Sequence, residues 1–344
     1  MKKTIWLLIL STLLTQWVRA QDPSFSQYYS APLFLNPAFA GSTPSYRFIS
    51  NYRNQWPGVG SGFKTVAFSF DMMLPELKSG VGVLFMSDQA GAASLKSNVV
   101  NLQYSYKIST KSGWVLSPGL NFGLGRRSID FNKLLFYDQL NLDGTQTPSG
   151  VMFTPDPKTY FDFGAGLLVY NSKMWIGGSA NHLNEPNRSI IDGVTRLPLK
   201  WSVHGGMSFQ IKNLGMRGRT AVLLPSFNYR SQGQFDQLDI GTYLMIEPVV
   251  FGLWYRGIPI HQDIADNVSQ DAVIVNLGFK LSKFDIMYSY DITVSKLGTG
   301  AGGAHEISLK YEINRLKRQP KKGRFIPCPA FYHNHDLNLE KLKQ

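Results

Sequence analysis

The feature that most constrains this chain is a two-residue alternation of apolar and polar side chains, repeated in segments of about ten residues. In 97–106, Val100, Leu102, Tyr104 and Tyr106 share one face, while Asn101, Gln103 and Ser105 share the other. In 201–211, Trp201, Val203, Met207, Phe209 and Ile211 oppose Ser202, His204, Ser208 and Gln210. In 284–292, Phe284, Ile286, Tyr288, Tyr290 and Ile292 oppose Asp285, Ser289 and Asp291. In 306–313, Ile307, Leu309, Tyr311 and Ile313 oppose Glu306, Ser308, Lys310 and Glu312. Strand side chains point alternately to opposite faces, so each segment has one greasy and one polar wall. Helical periodicity is scarce. After residue 20, no run approaches the roughly 18 apolar residues of a membrane-spanning helix.

Two architectures satisfy this pattern. A soluble sandwich turns the greasy wall inward; a membrane barrel turns it outward to lipid and keeps the polar wall inside. Three details favour the barrel. The segments have the length a tilted strand needs to cross a bilayer. Trp114, Trp175, Trp201, Trp254, Tyr255 and Tyr311 sit near segment ends, as interfacial girdles require. Charged pairs such as Glu306 and Lys310 share the polar face, where a lumen can hydrate them. Strands are expected over 46–55, 62–73, 79–88, 96–108, 113–127, 160–171, 173–181, 200–212, 219–231, 235–246, 248–257, 271–281, 283–293 and 304–313. The fold class is therefore all-β: a transmembrane antiparallel β-barrel of about fourteen strands over 46–313. The long connections are 128–159, 182–199 and 258–270, separated by short turns. An even strand number puts both ends of the barrel on the periplasmic side.

The flanks read differently. Residues 1–20 carry Lys2 and Lys3, a short apolar core and small residues before Gln21, the pattern of a secretory signal peptide. Residues 21–45 are irregular, because Pro23, Pro32, Pro37 and Pro44 interrupt any ladder. They nevertheless hold Phe25, Tyr28, Tyr29, Leu35 and Phe39, which need something to pack on. Two placements fit: a plug in the barrel interior or mouth, and a strap outside it. Residues 314–344 form a basic tail. Arg315, Lys317, Arg318, Lys321, Lys322 and Arg324 give it six cations without an acid, followed by Pro327, Cys328, Pro329 and Phe331 in an apolar setting. A solvated linker, contact with anionic lipid headgroups and docking to an acidic periplasmic partner all fit that run.

Of the formal net charge of +12, the tail run supplies six and Lys2, Lys3 and Arg19 supply three more. So little is left for the barrel that the basicity is no nucleic-acid footprint. The single Cys328 excludes a disulfide framework. Cys328, His333, His335 and Asp336 have the density of zinc ligands, but their spacing fits no standard site, and no cofactor is expected. Ser202 and His204 share a strand face, about 6.6–6.8 Å apart at the Cα atoms. With no orienting acid or oxyanion hole in view, they read as lumen lining. His182 and His305 sit at strand ends and read as hydrogen-bonding loop residues. The glycines of 119–125 and 298–303 lack the following Lys-Ser/Thr of a phosphate loop and read as close-packing positions.

Several motifs then occur in a specific order. They are Gln21-Asp22-Pro23-Ser24-Phe25-Ser26-Gln27-Tyr28, Leu35-Asn36-Pro37-Ala38-Phe39-Ala40-Gly41, Tyr52-Arg53-Asn54-Gln55-Trp56-Pro57 and His182-Leu183-Asn184-Glu185-Pro186-Asn187. Tyr288-Ser289-Tyr290-Asp291-Ile292-Thr293, Gly303-Ala304-His305-Glu306-Ile307-Ser308-Leu309 and Pro327-Cys328-Pro329-Ala330-Phe331 follow. In this order the chain resembles the PorP/SprF outer-membrane proteins of the Bacteroidetes type IX secretion system. The resemblance implies a non-enzymatic barrel working with the type IX secretion machinery in the outer-membrane lipid. Its implied partner is a secreted protein with a C-terminal sorting domain, gliding adhesins included. It implies no catalytic residue. The rival expectations are a passive channel for small solutes and, more remotely, a barrel hydrolase.

Overall fold

The computed structural model describes residues 22–314, apart from 60–61, 92–93, 131–132, 135–138, 140–155, 192, 212–220, 263–267, 282 and 295–301. The segments expected as a signal peptide and a basic tail lie outside the described residues, including Arg315, Lys317, Arg318, Lys321, Lys322, Arg324, Pro327, Cys328, Pro329 and Phe331.

Fourteen antiparallel strands close on themselves. In chain order they are β1 (Ser45–Gln55), β2 (Phe63–Leu74), β3 (Ser79–Ala90), β4 (Leu95–Tyr106, resumed at Ile108–Ser109), β5 (Val115–Ser128), β6 (Lys158–Tyr170) and β7 (Met174–Asn181). Then follow β8 (Lys200–Met207, resumed at Phe209–Ile211), β9 (Ala221–Gln232), β10 (Phe235–Ile246), β11 (Val249–Gln262), β12 (Val268–Lys280), β13 (Phe284–Thr293) and β14 (Ala304–Asn314). Each strand pairs with its sequence neighbours. Closure comes from β14 against β1, in register from Ser45 opposite Asn314 to Gln55 opposite Ala304. A closed ladder leaves no edge, which a bilayer requires because lipid satisfies no backbone polar group.

The burial pattern decides between sandwich and barrel. Along β2, Thr65, Ala67, Ser69 and Asp71 are buried while Val66 and Phe68 are exposed. Along β5, Ser117 and Asn121 are buried while Leu120, Phe122 and Leu124 are each about half exposed. The polar wall lies inside and the apolar wall outside, the arrangement of a membrane barrel. No described helix is long and apolar enough to cross a membrane.

Connections differ between the two ends. One end carries the turns 75–78, 110–114, 171–173 and 247–248. The other carries 129–157, 182–199 and 294–303. The expected long connection 258–270 is shorter than its sequence suggests, because β11 runs on to Gln262 and β12 begins at Val268. A register shift between Arg256 and Gly257 lets that hairpin extend past the point where apolar alternation ends.

Two expected girdle aromatics are corrected. Trp175 and Trp254 are only 2% and 1% exposed, and they point into the lumen rather than to the lipid boundary. Trp201, at 41%, faces outward. The indoles turn inward because the lumen holds apolar material for them to pack on.

Candidate functional site

That material is the chain's own N-terminal segment. Residues 22–44 form three short helical turns, Tyr28–Ser30, Pro32–Leu35 and Pro37–Phe39, linked by extended residues. Pro32 and Pro37 each start a turn, where the missing N–H costs nothing and φ is preset. The Asn36 side chain accepts from the Ala38 N–H at 2.9 Å, capping the third turn.

The segment runs the length of the lumen. Asp22 lies at the long-loop end, beside His182, Lys200 and the end of β9. Gly41 lies at the short-turn end, where its N–H donates to Asp71 at 2.8 Å. Between them the five apolar residues expected to pack are all buried: Phe25, Tyr28, Tyr29, Leu35 and Phe39. Tyr28 meets Trp254 edge-on at 5.2 Å, and Tyr29 meets Trp175 edge-on at 5.6 Å. Burial of one such ring is worth on the order of 2–3 kcal/mol. Phe39 stacks on His204 at 5.4 Å.

Polar contacts hold the segment in four places. At the upper cluster, the Ser26 and Gln27 N–H groups donate to Glu306 at 2.7 and 3.0 Å. Arg53 donates to both Glu306 (3.2 Å) and Asp291 (2.9 Å), and Arg256 bridges Asp291 (3.1 Å) and Asp239 (2.8 Å). All five charged groups are buried. Buried charges persist only when paired and hydrogen-bonded, and the backbone of the segment supplies two of the donors here. Along the middle, lumen side chains donate to successive backbone carbonyls: Gln103 to Leu33 (2.7 Å), Ser179 to Leu35 (2.9 Å), Ser117 to Ala38 (2.9 Å) and Ser105 to Ala40 (2.7 Å). At the base, Arg47 grips Asp71 with two bonds of 2.7 and 2.9 Å.

Glycines make the room. A Cβ on Gly119 would lie 2.6 Å from Ala38 Cα, and one on Gly80 would lie 2.5 Å from the Ala40 carbonyl carbon. Both obstacles are backbone, so the segment could accommodate neither without moving.

The outermost clasp is an Asp-His-Asp cluster. His182 Nε2 is 2.6 Å from Asp22 and its Nδ1 is 3.0 Å from Asp162, with Lys200 3.6 Å and Arg188 3.9 Å from Asp22. Burial disfavours the imidazolium, but the Asp22 charge and the bonds to Asp162 and Asp22 outweigh it and raise the His182 pKa from 6.5 to about 9. Burial likewise opposes the Asp22 carboxylate, and His182, Lys200 and Arg188 together still hold it below its usual range. A raised histidine pKa stabilises fully below 6.5 and loses its effect as pH climbs through 9, whereas a lowered carboxylate pKa stabilises above about 4. The clasp is therefore complete between about pH 4 and 6.5, and it weakens towards 9. Its histidine component corresponds to roughly 3 kcal/mol. Limited proteolysis at residues 22–27 is expected to quicken from pH 6.5 to 9.5 in the parent protein relative to His182→Gln, whose pH profile should be flat.

The residues weighed for hydrolase chemistry are otherwise engaged. Ser202 Oγ lies 2.8 Å from Ser179 Oγ, and His204 Nε2 lies 3.2 Å from Asn36 Nδ2. His305 bonds the Tyr288 hydroxyl at 2.8 Å on an exposed face. No group of three or more potential metal ligands occurs among the described residues.

Sequence reasoning does not single out Arg53, Asp162, Asp239, Arg256, Asp291 and Glu306 as partners of the segment. Their signal is there, since a charge on the polar wall of a membrane strand requires a partner in the lumen. Three of them, Arg53, Asp291 and Glu306, stand inside the ordered motifs, as do Asp22, Ser26, Asn36 and His182. Motifs spread over almost 300 residues meet in one lumen.

Solved structures similar to the chain are so only at low similarity. The outer membrane protein Omp33 of Acinetobacter baumannii is 6% identical over 78% of this chain and 99% of its own, with a TM-score of 0.40. CdiB from Acinetobacter baumannii is 8% identical over 78% and 60%, at 0.41. BamA from Haemophilus ducreyi lacking POTRA domains 1–3 is 10% identical over 78% and 70%, at 0.39. No curated protein matches the chain. Residues 18–311 match the family described as Type IX secretion system membrane protein PorP/SprF, and the chain belongs to that family.

Proposed function

We propose that this barrel is an occluded docking platform of the outer membrane that anchors a secreted partner at the cell surface. Its place in type IX secretion, as a non-enzymatic outer-membrane barrel, follows from the family. The partner is a protein with a C-terminal sorting domain, with a gliding adhesin as one form it takes. The observation that carries this reading is the lumen itself. Inward-facing groups on strands all round the wall grip the segment from Asp22 to Gly41, and a solute channel has no use for such a filling.

Short periplasmic turns and long external loops are the habit of such barrels, so the long-loop end faces outward in this reading. Loop 182–199 then offers Leu183, Ile191 and Val194 to the exterior, each more than half exposed and beyond the strands. Residues 1–20 act as the export signal. Arg315, Lys317, Arg318, Lys321, Lys322 and Arg324, with Pro327, Cys328, Pro329 and Phe331, reach the periplasmic machinery.

Deletion of the gene followed by surface and medium proteomics tests the reading. Loss of one or a few sorting-domain proteins from the surface supports it. An unchanged surface proteome with altered solute uptake would replace it with the channel.

A further inference from the structure

The outer wall of the barrel is sorted by charge. On β1 to β6, the outward positions that carry a charge are Lys64 on β2, Lys96 on β4 and Arg126 on β5, all cations and all towards the long-loop end. The acids of these strands, Asp71, Asp88 and Asp162, belong to the inward face, where they bond Arg47, Thr65 and His182. Beyond the strand ends, Asp130 is paired with Lys133 at 3.9 Å, and Asp156 stands two residues ahead of Lys158. Lys64, Lys96 and Arg126 are exposed and have no ion-pair partner among the described residues. On the opposite flank, the outward position at the same end of β10 holds an acid, Asp236.

Strand register brings the three cations together. Gln89 on β3 lies opposite Lys64 on one side and Lys96 on the other, so the two lysines stand two strand spacings apart, roughly 9–10 Å. Arg126 pairs with Asn98, two residues along from Lys96, which makes it a diagonal neighbour of Lys96 at roughly 7–8 Å. Their long apolar stems reach across such gaps while the charged heads stay polar. Three like charges with no acid between them favour an anion in their midst.

What lies beside them says which anion. Towards the membrane midplane the same wall continues with Val66 and Phe68, Val100 and Leu102, and Leu124 and Phe122, each 41–58% exposed. A free anion has no use for that wall, whereas a lipid lays its acyl chains on it. The Arg126 fork matches a phosphate, and the lysines add point charge.

We propose that Lys64, Lys96 and Arg126 hold the phosphate of an outer-leaflet glycolipid, lipid A, whose acyl chains lie on the wall of β2 to β5. From the proposed function this takes only the outward facing of the long-loop end.

Native mass spectrometry of the purified full chain in detergent tests the site, with lipid A, phosphatase-treated lipid A and phosphatidylglycerol as probes. Lipid A is expected to bind about a hundredfold more tightly than its dephosphorylated form, since each cation near the headgroups is worth about fivefold. Lys64→Gln, Lys96→Gln and Arg126→Gln together should erase that preference. Lys111→Gln, Lys173→Gln and Lys283→Gln together remove the same charge from exposed positions at the short-turn end and should preserve it. Heat-modifiable migration on gels establishes that each variant retains its barrel. Equal binding of the dephosphorylated lipid, equal loss in the two triple variants, or phosphatidylglycerol bound as tightly as lipid A would each overturn the proposal. Maleimide labelling of opposite ends on intact cells reads the orientation separately. An outward long-loop end without a preference for lipid A sinks the site alone and leaves the docking platform standing.

Discussion

Removing residues 22–40 is expected to open the barrel, changing planar-bilayer recordings of the purified protein from silence to steady conductance steps. The parent lumen is filled by side chains that are almost wholly buried, Phe25 and Phe39 at 0% exposure among them. Without the segment, Glu306 and Asp291 lose the donors that Ser26 and Gln27 supplied, and water must enter to replace those bonds. The wall itself has no need of the segment, because the strands bond to one another all the way round. Fourteen strands enclose more space than the inward side chains of an eight-stranded barrel can fill, so the emptied lumen should conduct.

A point variant separates this outcome from simple collapse. Gly119→Leu places its side chain where the Ala38 backbone now lies, yet leaves every strand bond intact. It should conduct as well, intermittently, as the segment leaves and returns. A barrel that migrates as folded and stays silent after the deletion would show that something other than residues 22–40 closes it. Steady conductance from the parent protein would contradict the occluded platform directly.

The second large effect concerns topology. A cysteine at position 24, in a Cys328→Ser background, is expected to react with a small membrane-impermeant maleimide on intact cells. A cysteine at Lys111, in the turn between β4 and β5, should react only after permeabilisation. Ser24 is partly exposed at the long-loop end, whereas Lys111 is exposed at the opposite end. Residues 22–44 would thus run from the outer mouth down through the lumen and turn into β1 at Ser45. Labelling of Lys111→Cys but not Ser24→Cys on intact cells would invert the orientation, and with it the assignment of loop 182–199 to the surface.

Much of the molecule is legible in its residues alone. The alternation of Val100, Leu102 and Tyr104 with Asn101, Gln103 and Ser105 marks a strand wherever it occurs, because period two is a property of the extended backbone alone. Strand number and most boundaries follow from counting such segments. The misjudged stretch, 258–270, is one where the apolar pattern stops before the ladder does, since backbone bonds can continue a hairpin that side chains no longer announce. The apolar residues of 21–45 announce that they will be buried, and the prolines that they will not form a ladder.

The sequence alone thus determined the strands, their number and the inversion that a membrane allows. Only the tertiary structure decided what fills the lumen and what holds it there. Ser26 and Asp291 are 265 residues apart in sequence and 2.6 Å apart in space, and no local pattern encodes such a pairing. The inward turn of Trp175 and Trp254 has the same origin. An indole near a strand end suits a lipid boundary and an apolar lumen equally well, and closure of the sheet around Tyr28 and Tyr29 settles which one it meets.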